Sequence, residues 1–132
     1  MEQFWFPLRD NNNCIYVLVE HIVYLKADGN YTQVNYLDPD QKLQTCLQSG
    51  NLGKYDHILK HGFIRLRRDV IVNRSKVIRH GKGRTVTVST GQTFNIPKKK
   101  WANVKELLGR QLVIPFGKKS DSFNKKDDSS IQ

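Results

Sequence analysis

The side chains best equipped for chemistry in this sequence are guanidinium groups. They cluster in Phe63-Ile64-Arg65-Leu66-Arg67-Arg68-Asp69-Val70-Ile71-Val72-Asn73-Arg74, where two apolar stretches bracket Arg67-Arg68-Asp69. Such anchors would hold an arginine-rich loop at the surface, and arginine's planar fork binds phosphate oxygens or guanine edges bidentately. The competing reading is a solvated turn in which an arginine pairs locally with Asp69. Other constellations carry less. His57 and His61 lie four apart, a spacing that can place two imidazoles on one metal. The residues between them, Ile58-Leu59-Lys60, lack the glutamate of a zinc-protease helix, and no third ligand accompanies them. Ser49-Gly50-Asn51-Leu52-Gly53-Lys54-Tyr55 lacks the spacing of a phosphate loop and reads better as a helix start. No Ser/His/Asp or Cys/His set stands in a recognisable local context. No catalytic residue, metal, cofactor or small-molecule substrate is expected.

Charge points the same way as the arginines. The chain has 132 residues and a formal net charge of +10. Residues 1–59 carry −3, residues 60–110 carry +12 and residues 111–132 carry +1. A cationic excess confined to one segment raises the encounter rate and affinity for polyanions such as phosphate backbones. Cys14 and Cys46 stand apart from any CxxC or Cys/His cluster and read as reduced strand residues. The apolar run Ile15–Val19 is far shorter than the roughly 20 residues that span a bilayer, and no signal-peptide pattern is present. A cytoplasmic protein with no membrane partner is expected.

Many short strands must position these groups, because β-branched and aromatic stretches alternate with turn-forming residues. Strands are predicted at Phe4–Leu8 and Cys14–Val19, then at His21–Ala27 and Tyr31–Leu37, the latter two forming a hairpin across Asp28-Gly29-Asn30. Lys42–Leu47 follows. Leu52, Tyr55, Ile58 and Leu59 then fall at helical spacing, with Ser49 as N-cap and Gly62 as terminator. Further strands are predicted at Phe63–Leu66, Val70–Val72, Lys76–His80, Arg84–Ser89 and Gln92–Ile96. Pro97 suits the first position of a closing helix over Lys98–Leu108. The fold class is therefore mainly β, with one short central helix and one C-terminal helix. Residues 1–13 are expected to form an N-terminal strand and turn, residues 14–109 the main domain, and residues 110–132 a polar, disordered tail.

The arginine-rich run resembles the central signature of LytTR domains, approximately Phe-[Ile/Val]-Arg-x-His-[Arg/Lys]-Ser-[Tyr/Phe]-[Ile/Val]-Val-Asn. Phe63, Ile64, Arg65, Arg68, Ile71, Val72 and Asn73 match it. The resemblance begins earlier, over His21-Ile22-Val23-Tyr24-Leu25-Lys26-Ala27-Asp28-Gly29-Asn30-Tyr31-Thr32-Gln33-Val34, and resumes at Gly91–Trp101, which is similar to the family's closing strand and helix start. Arg67 stands where the family usually has His, and Asp69 where it has Ser. What the resemblance implies is an elongated arrangement of antiparallel sheets that reads DNA from loops. Its implied contacts are Asn30, Tyr31 and Thr32, then Arg67 and Arg68, then Lys98, Lys99 and Lys100. Arg65 and Arg74, which flank the arginine loop, join them as candidates.

The leading expectation is thus sequence-specific double-stranded DNA binding by a bacterial transcription regulator without enzyme activity, forming a homodimer on paired sites. Two alternatives stay open. An RNA or single-strand binder would stack bases on exposed aromatics of a sheet face, for which Tyr31 and Tyr36 are candidates. A non-catalytic interaction module would instead dock an acidic protein on the basic segment.

Overall fold

Val70-Ile71-Val72 and Ile22-Val23-Tyr24-Leu25 contain no charged residue, and strands of that kind belong where both faces are covered. The computed structural model, which describes residues 3–110, puts them there. In chain order the strands are β1 (Trp5–Asp10), β2 (Asn13–Leu18), β3 (Ile22–Asp28), β4 (Tyr31–Leu37), β5 (Leu43–Ser49), β6 (Phe63–Arg67), β7 (Val70–Asn73), β8 (Val77–Gly81), β9 (Thr85–Val88) and β10 (Thr93–Asn95). A 3-10 helix, Leu52–His61, separates β5 from β6, and α1 (Lys98–Arg110) follows β10. The predicted fold class, mainly antiparallel β with a central and a C-terminal helix, is what the structure has.

A five-stranded sheet in the order β5-β4-β3-β7-β6 forms the wall of the molecule. One face packs the β1-β2 hairpin and the central helix over Ile22, Leu25, Val34, Phe63 and Ile71. The other packs the β10-β9-β8 sheet and α1 over Val23, Ile64, Leu66, Val70 and Val72, with Tyr24 edge-on to Phe94 at 5.1 Å. Phe6 and Leu8 of the expected N-terminal strand are buried in the first core. Cys14 and Cys46 are both free.

The central helix departs from expectation in kind and in start. Leu52, Tyr55 and Ile58 are its buried residues, spaced by three, which matches three residues per turn better than 3.6. Ser49 is not its N-cap. It belongs to β5, opposite Tyr31, and its carbonyl accepts from the Tyr55 hydroxyl (3.0 Å), while Asn51 takes the cap position without a side-chain bond. Gly62 ends the helix as expected, in the left-handed conformation (φ 83°) that glycine adopts at least cost. Pro97 precedes the first helical residue, its carbonyl accepting from the Lys100 amide (2.9 Å). The expected disordered tail lies outside the described residues, apart from Arg110, which closes α1.

Asn73 ties the end of β7 to the start of β3. Only 4% exposed, it donates from Nδ2 to the Ile22 carbonyl (2.8 Å) and accepts at Oδ1 from the Ser75 amide (3.0 Å) and hydroxyl (2.9 Å). Removing the amide strands the buried Ile22 carbonyl, which costs about 1–3 kcal/mol. Asn73→Ala is therefore expected to lower unfolding stability by at least about 1 kcal/mol in urea titration, and a variant as stable as the parent would contradict this role.

Candidate nucleic-acid interface

Strand pairing brings distant residues to one end of the five-stranded sheet. Lys26 on β3 is opposite Val70 on β7, and the Ala27 amide donates to the Asp69 carbonyl (2.9 Å). The β3-β4 turn and the β6-β7 turn therefore sit side by side. The first is a two-residue turn, Gly29-Asn30, with Asp28 opposite Tyr31 and positive φ (60°) at Gly29, the position a type II′ hairpin gives to glycine. It presents Asn30 and Tyr31, the latter 50% exposed. A third segment joins them because Arg67 Nη1 donates to the Asn95 carbonyl (2.9 Å), three residues before Lys98. Lys98 and Lys99 are exposed at the start of α1, and Lys100 is half-buried.

The arginines divide into braces and one free group. Arg65 Nη1 pairs with Asp56 on the central helix (2.9 Å), and its Nη2 donates to the Arg68 carbonyl (2.5 Å). Arg67 Nε pairs with Asp69 (2.7 Å). Arg68 is exposed, and its guanidinium makes no hydrogen bond or ion pair among the described residues. The loop backbone is thus held from both sides while one fork points to solvent.

Two candidates drawn from the sequence are placed elsewhere. Thr32 is fully buried, its hydroxyl donating to the Gly50 carbonyl (3.0 Å), so its side chain has no surface to offer a ligand. Strand alternation carried that signal, since Thr32 shares a face with buried Val34. Arg74 lies away from the turns, where its Nε donates to the Leu108 carbonyl near the C-terminal end of α1 (3.0 Å). A cation there complements the helix dipole, and burial lowers its pKa from the usual arginine range.

One cation at the interface was missed. Arg84, in the β8-β9 turn, donates from Nε to the Ile96 carbonyl (3.1 Å), and its own carbonyl accepts from the Ile96 amide (2.8 Å). It adjoins the start of α1, and only charge density pointed to it. Among the described residues no group of three or more His, Cys, Asp or Glu could hold a metal ion. His57 and His61 lie against aromatic rings instead, stacked on Phe6 (6.4 Å) and tilted on Phe4 (4.3 Å). No described helix is long and apolar enough to cross a membrane.

A β scaffold that gathers loops bearing arginine and lysine at one end has the charge arrangement suited to a polyanion. Comparison with known proteins narrows the reading. The LytTr DNA-binding domain family matches residues 12–109, so the chain belongs to that family of DNA-binding domains. Among solved structures it is similar to the LytTr DNA-binding domain of a methyl-accepting/DNA response regulator from Bacillus cereus, with 23% identity and a TM-score of 0.65 over 80% of this chain and 96% of that one. No curated protein sequence matches the chain.

Partial burial leaves a mark on His80. Its ring meets Trp101 edge-on (6.1 Å), and desolvation there, with Arg74 and Lys105 close by, pushes the imidazole below its ordinary value near 6.5. The unfolded chain then takes up a proton that the folded chain resists, so stability falls as pH drops through about 6.5. Urea midpoints at about pH 7.5 and about pH 5.5 are expected to show this loss, and His80→Gln to reduce it. A loss of the same size in the variant would assign it to other groups.

Proposed function

We propose that this chain is a sequence-specific double-stranded DNA-binding domain that regulates transcription in the bacterial cytoplasm. The carrying observation is the convergence of Asn30, Tyr31, Arg68 and Lys98–Lys100 at one end of a rigid sheet, with the Arg68 guanidinium unengaged. The similar solved domain belongs to a DNA response regulator, which supports a regulatory role. The reading gives the chain no catalytic step, no cofactor and no small-molecule substrate. It also pairs two copies on adjacent sites of one duplex, from monomers in solution.

Within this reading the cations have different work. Arg68 sits in a loop whose backbone is braced by Arg65 on one side and Arg67 on the other, which presents its unengaged fork from a fixed position to discriminate a base edge. Lys98, Lys99 and Lys100 surround the amino end of α1, where exposed backbone donors add to their charge in attracting a phosphate. Lysine suits that role as a compact point charge. A single-strand or RNA binder would instead set stacking aromatics among the cations. Exposed Trp5 and Tyr16 lie on the β1-β2 hairpin, against the opposite core from α1, and Tyr31 stands alone beside the arginine loop.

A duplex selected from a random-sequence pool and a scrambled duplex, each titrated across a salt series, test the assignment. Arg68→Ala is expected to cost about 1–3 kcal/mol on the selected duplex and to relax preference at one base position. Lys99→Ala is expected to weaken both duplexes nearly equally and to lower the salt slope by about 1. Equal weakening of both duplexes by Arg68→Ala would make it only another phosphate contact.

A further inference from the structure

We propose that Arg67 is a positioning residue for DNA recognition: its guanidinium brackets the arginine loop to the start of α1, so that Arg68 and Lys98–Lys100 meet the duplex in one fixed register. This rests on the duplex-binding reading and deepens it. The geometry begins with a bulge in β6. Arg65 is opposite Ile71 and Arg67 is opposite Val70, so Leu66 and Arg67 together span one step of β7. A bulge re-aims a side chain. Here Leu66 enters the second core and Arg67 turns toward β10, which belongs to that same side.

Once aimed, the fork is engaged at two points. Nε pairs with Asp69 within its own loop at 2.7 Å, and Nη1 reaches the Asn95 carbonyl at 2.9 Å, across 28 positions of sequence. The Arg67 side chain is only 26% exposed. A group so engaged is poorly placed to meet a phosphate, but it fixes the distance between its partners. The next carbonyl, that of Ile96, is held by Arg84 from the β8-β9 turn. Two successive carbonyls ahead of α1 are therefore each gripped by an arginine from a different loop.

Arg67 and Asp69 are also two of the three positions at which the central run departs from the LytTR signature, the third being buried Val70, and they bond to each other. The two charged departures act as a unit. Asp69 places no free negative charge beside the duplex, because it orients Arg67, and base readout passes to the neighbouring Arg68.

Fluorescence anisotropy on the selected and scrambled duplexes, each across a salt series, separates bracket from phosphate contact. Arg67→Lys keeps the charge and loses the fork. It is expected to lower the selected-over-scrambled affinity ratio about tenfold while the salt slope stays unchanged. Arg67→Met is expected to lower the ratio equally, again without changing the slope. A ratio unchanged in Arg67→Lys, or a slope reduced by about 1 in Arg67→Met and restored in Arg67→Lys, would overturn the proposal. Parent protein that binds no duplex, or shows no preference, would instead overturn the reading beneath it, and amide exchange in the free protein then decides on the bracket. Exchange at Ile96 and Lys100 is expected to quicken in Arg67→Lys, and unchanged exchange there would overturn it.

Discussion

The pairing of β3 with β7 is the constraint on which the rest of this structure depends. Tyr24, Leu25 and Lys26 face Val72, Ile71 and Val70, and every one of these apart from Lys26 is buried between two cores. Burying a Val, Leu or Ile side chain contributes about 1.5–3 kcal/mol, so this register is strongly specified. A slip by one residue would exchange the sets of side chains given to each core. The same register puts the β3-β4 and β6-β7 turns at one end of the sheet. Recognition geometry is thereby a consequence of core packing rather than of the loops' own preferences.

The residues that carry the family resemblance mostly build this scaffold. Phe63, Ile64, Ile71 and Val72 are core, Asn73 bonds the β3 backbone, and Arg65 braces the loop against the central helix. Of the matched positions Arg68 alone has an exposed, unengaged guanidinium. Members of a family can share a frame in this way while differing at positions outside it. Arg67 and Asp69 show how such a difference is accommodated, since a cation and an anion introduced two residues apart bond to each other and leave the core untouched.

Much of the fold was legible because strands and turns are encoded locally. β-branched runs marked the strands, and Asp28-Gly29-Asn30 marked a hairpin whose tight turn the structure confirms at Gly29. The central helix was visible as an apolar repeat, but counting Leu59 with Leu52, Tyr55 and Ile58 hid the three-residue spacing of the side chains that the first core buries. The candidate site was less legible. Charge counts found the cationic segment without separating Arg74, bonded to the end of α1, from Arg68, which is free. That distinction arises from contacts between residues distant in sequence, such as Arg67 with Asn95 and Arg84 with Ile96. Thr32 was misread because its place beside the turn outweighed the strand alternation that buries it.

Amide chemical shifts followed during titration with the selected duplex test the central claim most directly. Shifts confined to Gly29–Tyr31, Arg67–Asp69, the β8-β9 turn and Lys98–Lys100, with Tyr16 and the rest of the β1-β2 hairpin unmoved, are the result expected. Shifts concentrated on the hairpin or the central helix would contradict an interface built at this end of the sheet.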